Sequence, residues 1–368
     1  MNITIIDPFM GQSHKKWAEG FQKHSKHKIE ILGLPGKFWK WRMYGGAVTL
    51  ANEFINSRIQ SDLILASDML DLNVFLSLCR KEINTIPVAL YFHENQLTYP
   101  LSERDKMRNF NNNFSFINYA SALAADKVLF NSNFHKESFI DALPGFLEKF
   151  PDHQNLNTID TIAQKSKVLH LGMDLKSLDI DHVPKKEKKE RAILLWNHRW
   201  EYDKNPDDFF KALFELQDRG IEFQLIVLGE ARGKYPEIFD RAKKQLDNEI
   251  IHWGYAKDFE TYKNLLWKAD ILPVTSNQDF FGGSVIEAAY CNCIPLLPKR
   301  LAYPEHFPEI MHKSLFYEEG QFVNKLQRMI MDVNVLRNQN TQKFVKKYDW
   351  NEIIENYDNC FEQIITKK

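Results

Sequence analysis

Two carboxylates bracket a pair of glycines late in the chain. Asp279 leads Phe280-Phe281-Gly282-Gly283-Ser284, and Glu287 stands eight positions after it. The stretch follows an apolar run ending at Val274 and opens a helical pattern. Glycines lack the Cβ that keeps a backbone at a distance, and a helix N-terminus favours anions. Such a loop suits a nucleotide sugar: one carboxylate for sugar hydroxyls, amides for the diphosphate, the second carboxylate for the ribose. It also suits an ordinary helix start with an N-terminal carboxylate stabilised by the helix dipole. A second run weighs on the first reading. Arg199 and Lys204 lie in Leu194-Leu195-Trp196-Asn197-His198-Arg199-Trp200-Glu201-Tyr202-Asp203-Lys204-Asn205-Pro206, just past an apolar strand pattern. A guanidinium and an ammonium at a strand's carboxyl end could neutralise a leaving diphosphate without a metal. No Walker-type phosphate loop is present, which disfavours phosphoryl transfer from ATP. The Asp179–Asp181 pair reads as surface charge, and no metal site is expected.

The first half offers a different chemistry. Lys37-Phe38-Trp39-Lys40-Trp41-Arg42-Met43-Tyr44 interleaves aromatic and cationic side chains. Unstacked bases lie on aromatic or guanidinium planes while lysines meet phosphates, so this run reads as an RNA platform. The alternative is an amphipathic loop that packs its tryptophans on its own domain. His14, Lys15, Lys16 and Trp17 are expected on the same face, with Arg104, Lys106 and Arg108 as further candidates.

The elements that position these groups follow from patterning. Short β-branched runs alternate with helical stretches along the whole chain, which means parallel sheets covered by helices on both faces. Strands are expected near 2–6, 28–32, 62–66, 86–92, 127–130 and 167–171, then near 191–197, 222–228, 250–253, 270–274, 293–296 and 315–317. Helices are expected near 14–25, 47–58, 70–80, 103–123, 135–141 and 207–219, the last started by Pro206 and closed by Gly220. The charged run Lys185-Lys186-Glu187-Lys188-Lys189-Glu190-Arg191 divides the chain. The expected organisation is an α/β domain over 1–183, a linker over 184–191, a second α/β domain over 192–347 and a closing amphipathic helix over 348–368. In facing doubly wound domains, ligands bind at the carboxyl ends of the strands, so the cleft between them is the default site.

A length of 368 residues fits two such domains, and 26% charged residues exclude wholesale disorder. The formal charge of −1 excludes a histone-like protein, so an acidic partner must be met by a local patch. The four cysteines show no metal or disulfide spacing. Neither a signal peptide nor a membrane span is read, and the expected location is the cytoplasm.

Arg199 and Lys204 followed by Asp279 and Glu287 resemble the donor half of retaining glycosyltransferases of the two-domain GT-B type, family 4. The first half is narrower. Tyr91-Phe92-His93-Glu94-Asn95-Gln96-Leu97-Thr98-Tyr99-Pro100, the run from Phe116 to Lys127 and the segment from Trp196 to Pro206 together resemble the tRNA-queuosine α-mannosyltransferase family, also described as the glycosyltransferase-like domain-containing group. The resemblance covers nearly the whole chain. It implies a GT-B fold of two Rossmann-like domains and transfer of mannose from GDP-mannose, with retention and without metal, to the cyclopentenediol of queuosine in the anticodon of tRNA-Asp. By resemblance Arg199 and Lys204 would hold the diphosphate and Asp279 the sugar hydroxyls. Phe281, Gly282 and Gly283 would present amides, Glu287 would bind the ribose, and Gly254 with Tyr255 would lie at the nucleobase. His93 would face the transferred sugar, with Glu94 orienting it or the acceptor. Lys37, Trp39, Trp41, Arg42, Asn95 and Gln96 are the acceptor-side candidates. Gly11-Gln12 stands where relatives carry two glycines, which leaves Gly11 alone to approach the donor. Asp279 departs too, Glu being commoner there, which bears on sugar preference. A family 4 enzyme with another nucleotide sugar and a small-molecule, glycan or lipid acceptor is the alternative. A catalytically silent nucleotide-sugar or RNA binder is the third reading.

Overall fold

The computed structural model describes residues 1–100, 111–181, 191–229, 233 and 235–366. Residues 182–190, which hold all of the expected 184–191 linker but Arg191, and the candidates Arg104, Lys106 and Arg108 lie outside them. All twelve expected strands form: β1 Asn2–Met10, β2 Lys28–Pro35, β3 Leu63–Ser67, β4 Val88–Phe92, β5 Lys127–Phe130 and β6 Ser166–Val168, then β7 Ala192–Asn197, β8 Phe223–Leu228, β9 Ile250–Gly254, β10 Ile271–Pro273, β11 Ile294–Pro298 and β12 Phe316–Tyr317. Strands β3, β4 and β7 are buried at every residue, as strands covered on both faces must be.

The first unit comprises Met1–Asp174 and Tyr348–Lys368. Its parallel sheet runs β2-β1-β3-β4-β5-β6. Strand order reverses between β1 and β3, and ligands bind outside the carboxyl ends of strands at such a switch point. Helix α1 (Gln12–His24) leaves β1 at that point. Helix α2 spans Trp39–Ser57, so the Lys37–Tyr44 run, expected as a loop ahead of a helix at 47, is mostly helix. Gly45 and Gly46 do not break it because both are packed against. A Cβ on Gly46 would meet Pro8 at 2.5 Å, and one on Gly45 would meet the Trp41 ring at 2.8 Å. Helices α3 (Asn111–Ala124) and α4 (Asn133–Leu147) follow.

The second unit is Leu175–Lys347, with a sheet of order β12-β11-β10-β7-β8-β9 and its own switch point between β7 and β10. Helix α5 (Pro206–Asp218) carries Pro206 at its first turn and is capped by Asn205, while Gly220 just beyond it has φ 72°. Helix α6 spans Phe259–Lys268 and α7 spans Gly283–Tyr290.

The unit boundaries differ from the expected ones at both crossings. Leu175–Asp181 belongs to the second unit: the Trp267 indole donates to Leu178 O at 2.7 Å and the Tyr290 hydroxyl to Asp179 at 3.1 Å. The closing helix α8 (Trp350–Thr366) belongs to the first. Its Tyr357 hydroxyl accepts from the Trp17 indole and donates to His170 O. A Cβ on Gly20 or Gly172 would fall inside the Trp350 ring. Two interior glycines thus make the seat for this helix. Among the described residues no helix is long and apolar enough to cross a membrane.

Candidate functional site

Both switch points gather polar side chains. In the second unit, β7 ends at Asn197 and delivers His198, Arg199, Asp203 and Lys204, while the loop after β10 delivers Gln278 and Asp279. Lys204 is buried, and its Nζ donates to Gln278 O at 2.6 Å and Asp279 Oδ1 at 2.9 Å, with Asp203 at 3.3 Å. Burial disfavours the ammonium, but Asp279 and Asp203 outweigh it and raise its pKa. Burial likewise opposes the Asp279 carboxylate. Lys204, His198 and the Tyr303 hydroxyl, which donates to Oδ2 at 2.5 Å, outweigh it and hold the pKa down. Both groups are therefore charged across the physiological range. Arg199 pairs with Glu201 at 3.2 Å and stays half exposed at the rim.

Tyr303 joins this pair to the start of α7. Gly282 caps it with φ 82°, and a Cβ there would meet the Tyr303 ring at 2.9 Å, so glycine is required for conformation and for space. The Val285 and Ile286 amides turn back to Gly282 O. The amides of Gly283 and Ser284 are the ones helical geometry leaves to an outside acceptor. Ser284 Oγ meets His198 Nδ1 at 3.1 Å, and His198 Nε2 is buried with no partner among the described residues. Burial first, and then Lys204 and Arg199, lower the His198 pKa to about 4, so the ring is neutral. One turn further along the helix, Glu287 accepts from the Tyr262 hydroxyl at 2.6 Å, and Tyr262 is held by Asn197 at 3.0 Å. The phenol fixes the carboxylate at one oxygen and leaves the other for a ligand. Gly254 ends β9 at φ 108° with open space at its Cβ position, and Tyr255 beside it is exposed.

In the first unit the switch point holds a buried titratable cluster. Asp7 on β1 and His14 on α1 form an ion pair at 2.8 Å. Burial lowers the His14 pKa, but Asp7 foremost, then Asp68 and Glu94, push it up to about 9. Burial opposes the Asp7 carboxylate, and His14 with the Phe9 amide nonetheless carries it below its ordinary value. The His93 ring stacks on His14 with centroids 4.0 Å apart and meets Trp17 edge-on at 4.7 Å. Burial, then the His14 charge, keep His93 neutral. Its peptide is clamped on both sides: the amide donates to Asp68 Oδ1 at 2.8 Å, and Asn131 Nδ2 donates to its carbonyl at 2.9 Å.

Residues 2–173 match the family described as tRNA-queuosine alpha-mannosyltransferase N-terminal, and residues 179–344 match Glycosyl transferases group 1. The tRNA-queuosine alpha-mannosyltransferase of Drosophila melanogaster is 31% identical over 99% of this chain and 97% of its own. The chain belongs to the tRNA-queuosine α-mannosyltransferase family. Solved structures show the fold. Sucrose-phosphate synthase from Thermosynechococcus elongatus has a TM-score of 0.73 at 12% identity, covering 100% of both chains. The Anabaena protein HepE with UDP-glucose has a TM-score of 0.69 at 15% identity, covering 99% of this chain and 100% of its own. Each unit is Rossmann-like, and the fold class is GT-B.

In this member of the tRNA-queuosine α-mannosyltransferase family the structure brings Lys204, Asp279, Gly282, Gly283 and Glu287 together at one switch point. Phe281 is also there, but its carbonyl is taken by His306 at 2.6 Å. Gly11 precedes α1 in an extended conformation, and its own backbone is crowded by Gly36, where a Cβ would sit 2.6 Å from Gly11 Cα. The acceptor-side candidates divide. Trp41 is 63% exposed, Phe38 is 77% exposed and Lys37 is exposed. Arg42 stays half-buried, its Nε on Pro35 O at 3.4 Å. Trp39 packs its ring on Phe114 at 5.3 Å and is half-buried. Asn95 and Gln96 are buried: Asn95 Oδ1 caps the Leu97 and Thr98 amides, and the Gln96 amide donates to Asn118. They shape the loop after β4. Glu94 accepts from Gln96 Nε2 at 3.2 Å. His14 and Trp17, expected on the RNA face, are core residues, because α1 turns them onto β1 and β4 while Lys15 and Lys16 face solvent. Sequence reasoning missed Asp68, Asp203, His198, Tyr262 and Tyr303; His198 beside Arg199 and Asp203 beside Lys204 carried a signal.

Proposed function

We propose that this glycosyltransferase moves mannose, with retention and without a metal ion, from GDP-mannose to the queuosine of tRNA-Asp in the cytoplasm. The observation that carries the donor side is the Lys204–Asp279 pair, which Tyr303 joins to Gly282 at the start of α7. The ammonium and the helix start offer positive charge where a diphosphate would leave, and Asp279 offers an acceptor to sugar hydroxyls. Glu287, fixed by Tyr262, would take the ribose hydroxyls. In front-face transfer the bond from the anomeric carbon to the phosphate oxygen breaks as the acceptor oxygen bonds that carbon. The acceptor proton passes to the departing phosphate oxygen. No protein nucleophile is needed, only stabilised leaving charge and a placed acceptor. Exposed Trp41 and Phe38, with Lys37, supply stacking planes and a cation for an anticodon loop. Phe38 sits at φ 55°, a conformation bulky residues rarely hold, which keeps its ring turned outward. The four described cysteines are buried free thiols, which suits a reducing compartment.

The test is transfer. With GDP-mannose and queuosine-containing tRNA the purified protein should add the mass of one hexose to the nucleoside, and tRNA lacking queuosine should gain none. No product would sink the reading; product with UDP-galactose or UDP-glucose in place of GDP-mannose would change the donor.

A further inference from the structure

Asp68 lies at the carboxyl end of β3, beside the switch point of the first sheet, and is 1% exposed. Nearly everything on it is committed. Its amide donates to Tyr91 O at 3.1 Å, its carbonyl accepts from Asn118 Nδ2 at 2.8 Å, and Oδ1 accepts from the His93 amide at 2.8 Å. Oδ2 is buried with no partner among the described residues. On the adjacent strand His93 Nε2 is in the same position, as is Asn95 Nδ2 just beyond it. Buried polar atoms are almost always satisfied, and a carboxylate oxygen is the costliest to leave bare. Three such atoms at the ends of two neighbouring strands, where α/β sheets take their ligands, form a receptor for a molecule with several hydroxyls.

We propose that Asp68 binds the acceptor, its Oδ2 accepting a hydrogen bond from the hydroxyl that neighbours the one to be glycosylated. One hydroxyl of the cyclopentenediol then reacts while Asp68 holds its neighbour. This deepens the function proposed above and rests on it. The groups facing Asp68 set when it can accept. Burial, with Glu94 and Asp7 adding to it against His14 and the His93 amide, lifts its pKa to about 8. The ionised form, which accepts, therefore grows as pH rises through that value.

Asp68→Asn keeps the Oδ1 bond to His93 and puts an NH₂ donor where Oδ2 stood. Its acceptor KM should rise about ten- to a hundredfold, the span of a hydrogen bond to a charged group, with GDP affinity unchanged. The acceptor KM of the unsubstituted enzyme should fall between pH 7 and 9, and that of the variant should stay flat. A merely structural aspartate would move GDP affinity and melting temperature and leave the pH profile in place. A variant with the original acceptor KM and profile overturns the proposal. An independent arm uses the unsubstituted protein with two competitors of the acceptor. cis-Cyclopentane-1,2-diol should inhibit at about a tenth of the concentration of cyclopentanol or less, and equal inhibition overturns the proposal. Absence of transfer by the unsubstituted enzyme strikes instead at the function proposed above.

Discussion

The two switch points solve one packing problem with opposite electrostatics. In the second unit the site is built from permanent charge: Lys204 and Asp279 each hold the other ionised, and the nearby His198 ring is kept neutral. In the first unit it is built from protons. His14 is a cation because Asp7 is an anion, His93 is neutral because it is buried and lies beside that cation, and Asp68 sits between its two forms near pH 8. A diphosphate carries charge at every working pH and asks for a fixed counter-charge. A hydroxylated acceptor is neutral and asks for hydrogen-bond partners of defined polarity, which neighbouring protons can set.

The largest effect should come from the fixed-charge side. Lys204→Ala should cost about 10²–10³-fold in kcat, the usual loss for one preorganised stabiliser of leaving charge. It should also weaken GDP binding in calorimetry. It leaves Asp279 and Asp203 facing each other in a buried site without their cation, so a melting curve must accompany the kinetics. Unchanged turnover would remove Lys204 from the site.

The proton-built side should betray itself in stability. His14 has a folded pKa near 9 against an ordinary value of 6.5, so its pairing stabilises fully below about pH 6.5 and is lost as pH rises through 9. Asp7, with its pKa lowered, contributes above its ordinary value and loses that as pH falls. His14→Gln should destabilise by roughly 3 kcal/mol at pH 6 and by much less at pH 10, measured by urea unfolding. An equal loss at both would mean the ring matters for packing alone.

How far these sites could be read without coordinates follows the same division. The donor motif is local: Asp279, Gly282, Gly283 and Glu287 fall within one strand–loop–helix, and glycine and charge are visible as residue types. The strands were legible because full burial on both faces leaves unbroken apolar runs. The first-unit cluster was not, since Asp7, His14, Asp68 and His93 come from separate segments and each looks like a lone polar residue beside an apolar run. Only the strand order β1-β3-β4 joins them. The start of α2 was hidden for another reason. Gly45-Gly46 reads as a break; Trp41 packs on Gly45 from one helical turn away, and the close approach of Pro8 to Gly46 is tertiary. Tyr262 and Tyr303 were invisible because a tyrosine that fixes a carboxylate looks like any other tyrosine.

A smaller effect should separate the two units by ligand. Trp41→Ala removes an exposed ring from α2 and leaves the residues of the second unit's site unaltered, so tRNA affinity should fall about tenfold, the worth of one stacked base, with GDP affinity retained. Filter binding across salt concentrations checks it: the salt slope should stay, because a ring neutralises no phosphate, whereas Lys37→Ala should lower the slope by about one. Loss of GDP binding in the tryptophan variant would instead point to a fold defect.

The smallest change tests how tightly the fixed-charge side is held. Tyr262→Phe removes only the hydroxyl that grips Glu287 at 2.6 Å, leaving the ring in place. Glu287 keeps its charge but loses the bond that selects one rotamer, so the donor should bind about three- to tenfold more weakly, the worth of one ordinary hydrogen bond. Turnover at saturating donor should hold, because the ribose lies away from the bond that breaks. An effect on kcat as large as that on KM would mean that Glu287 is coupled through α7 to the amides of Gly283 and Ser284. The permanent charges and the ribose contact would then work as one unit.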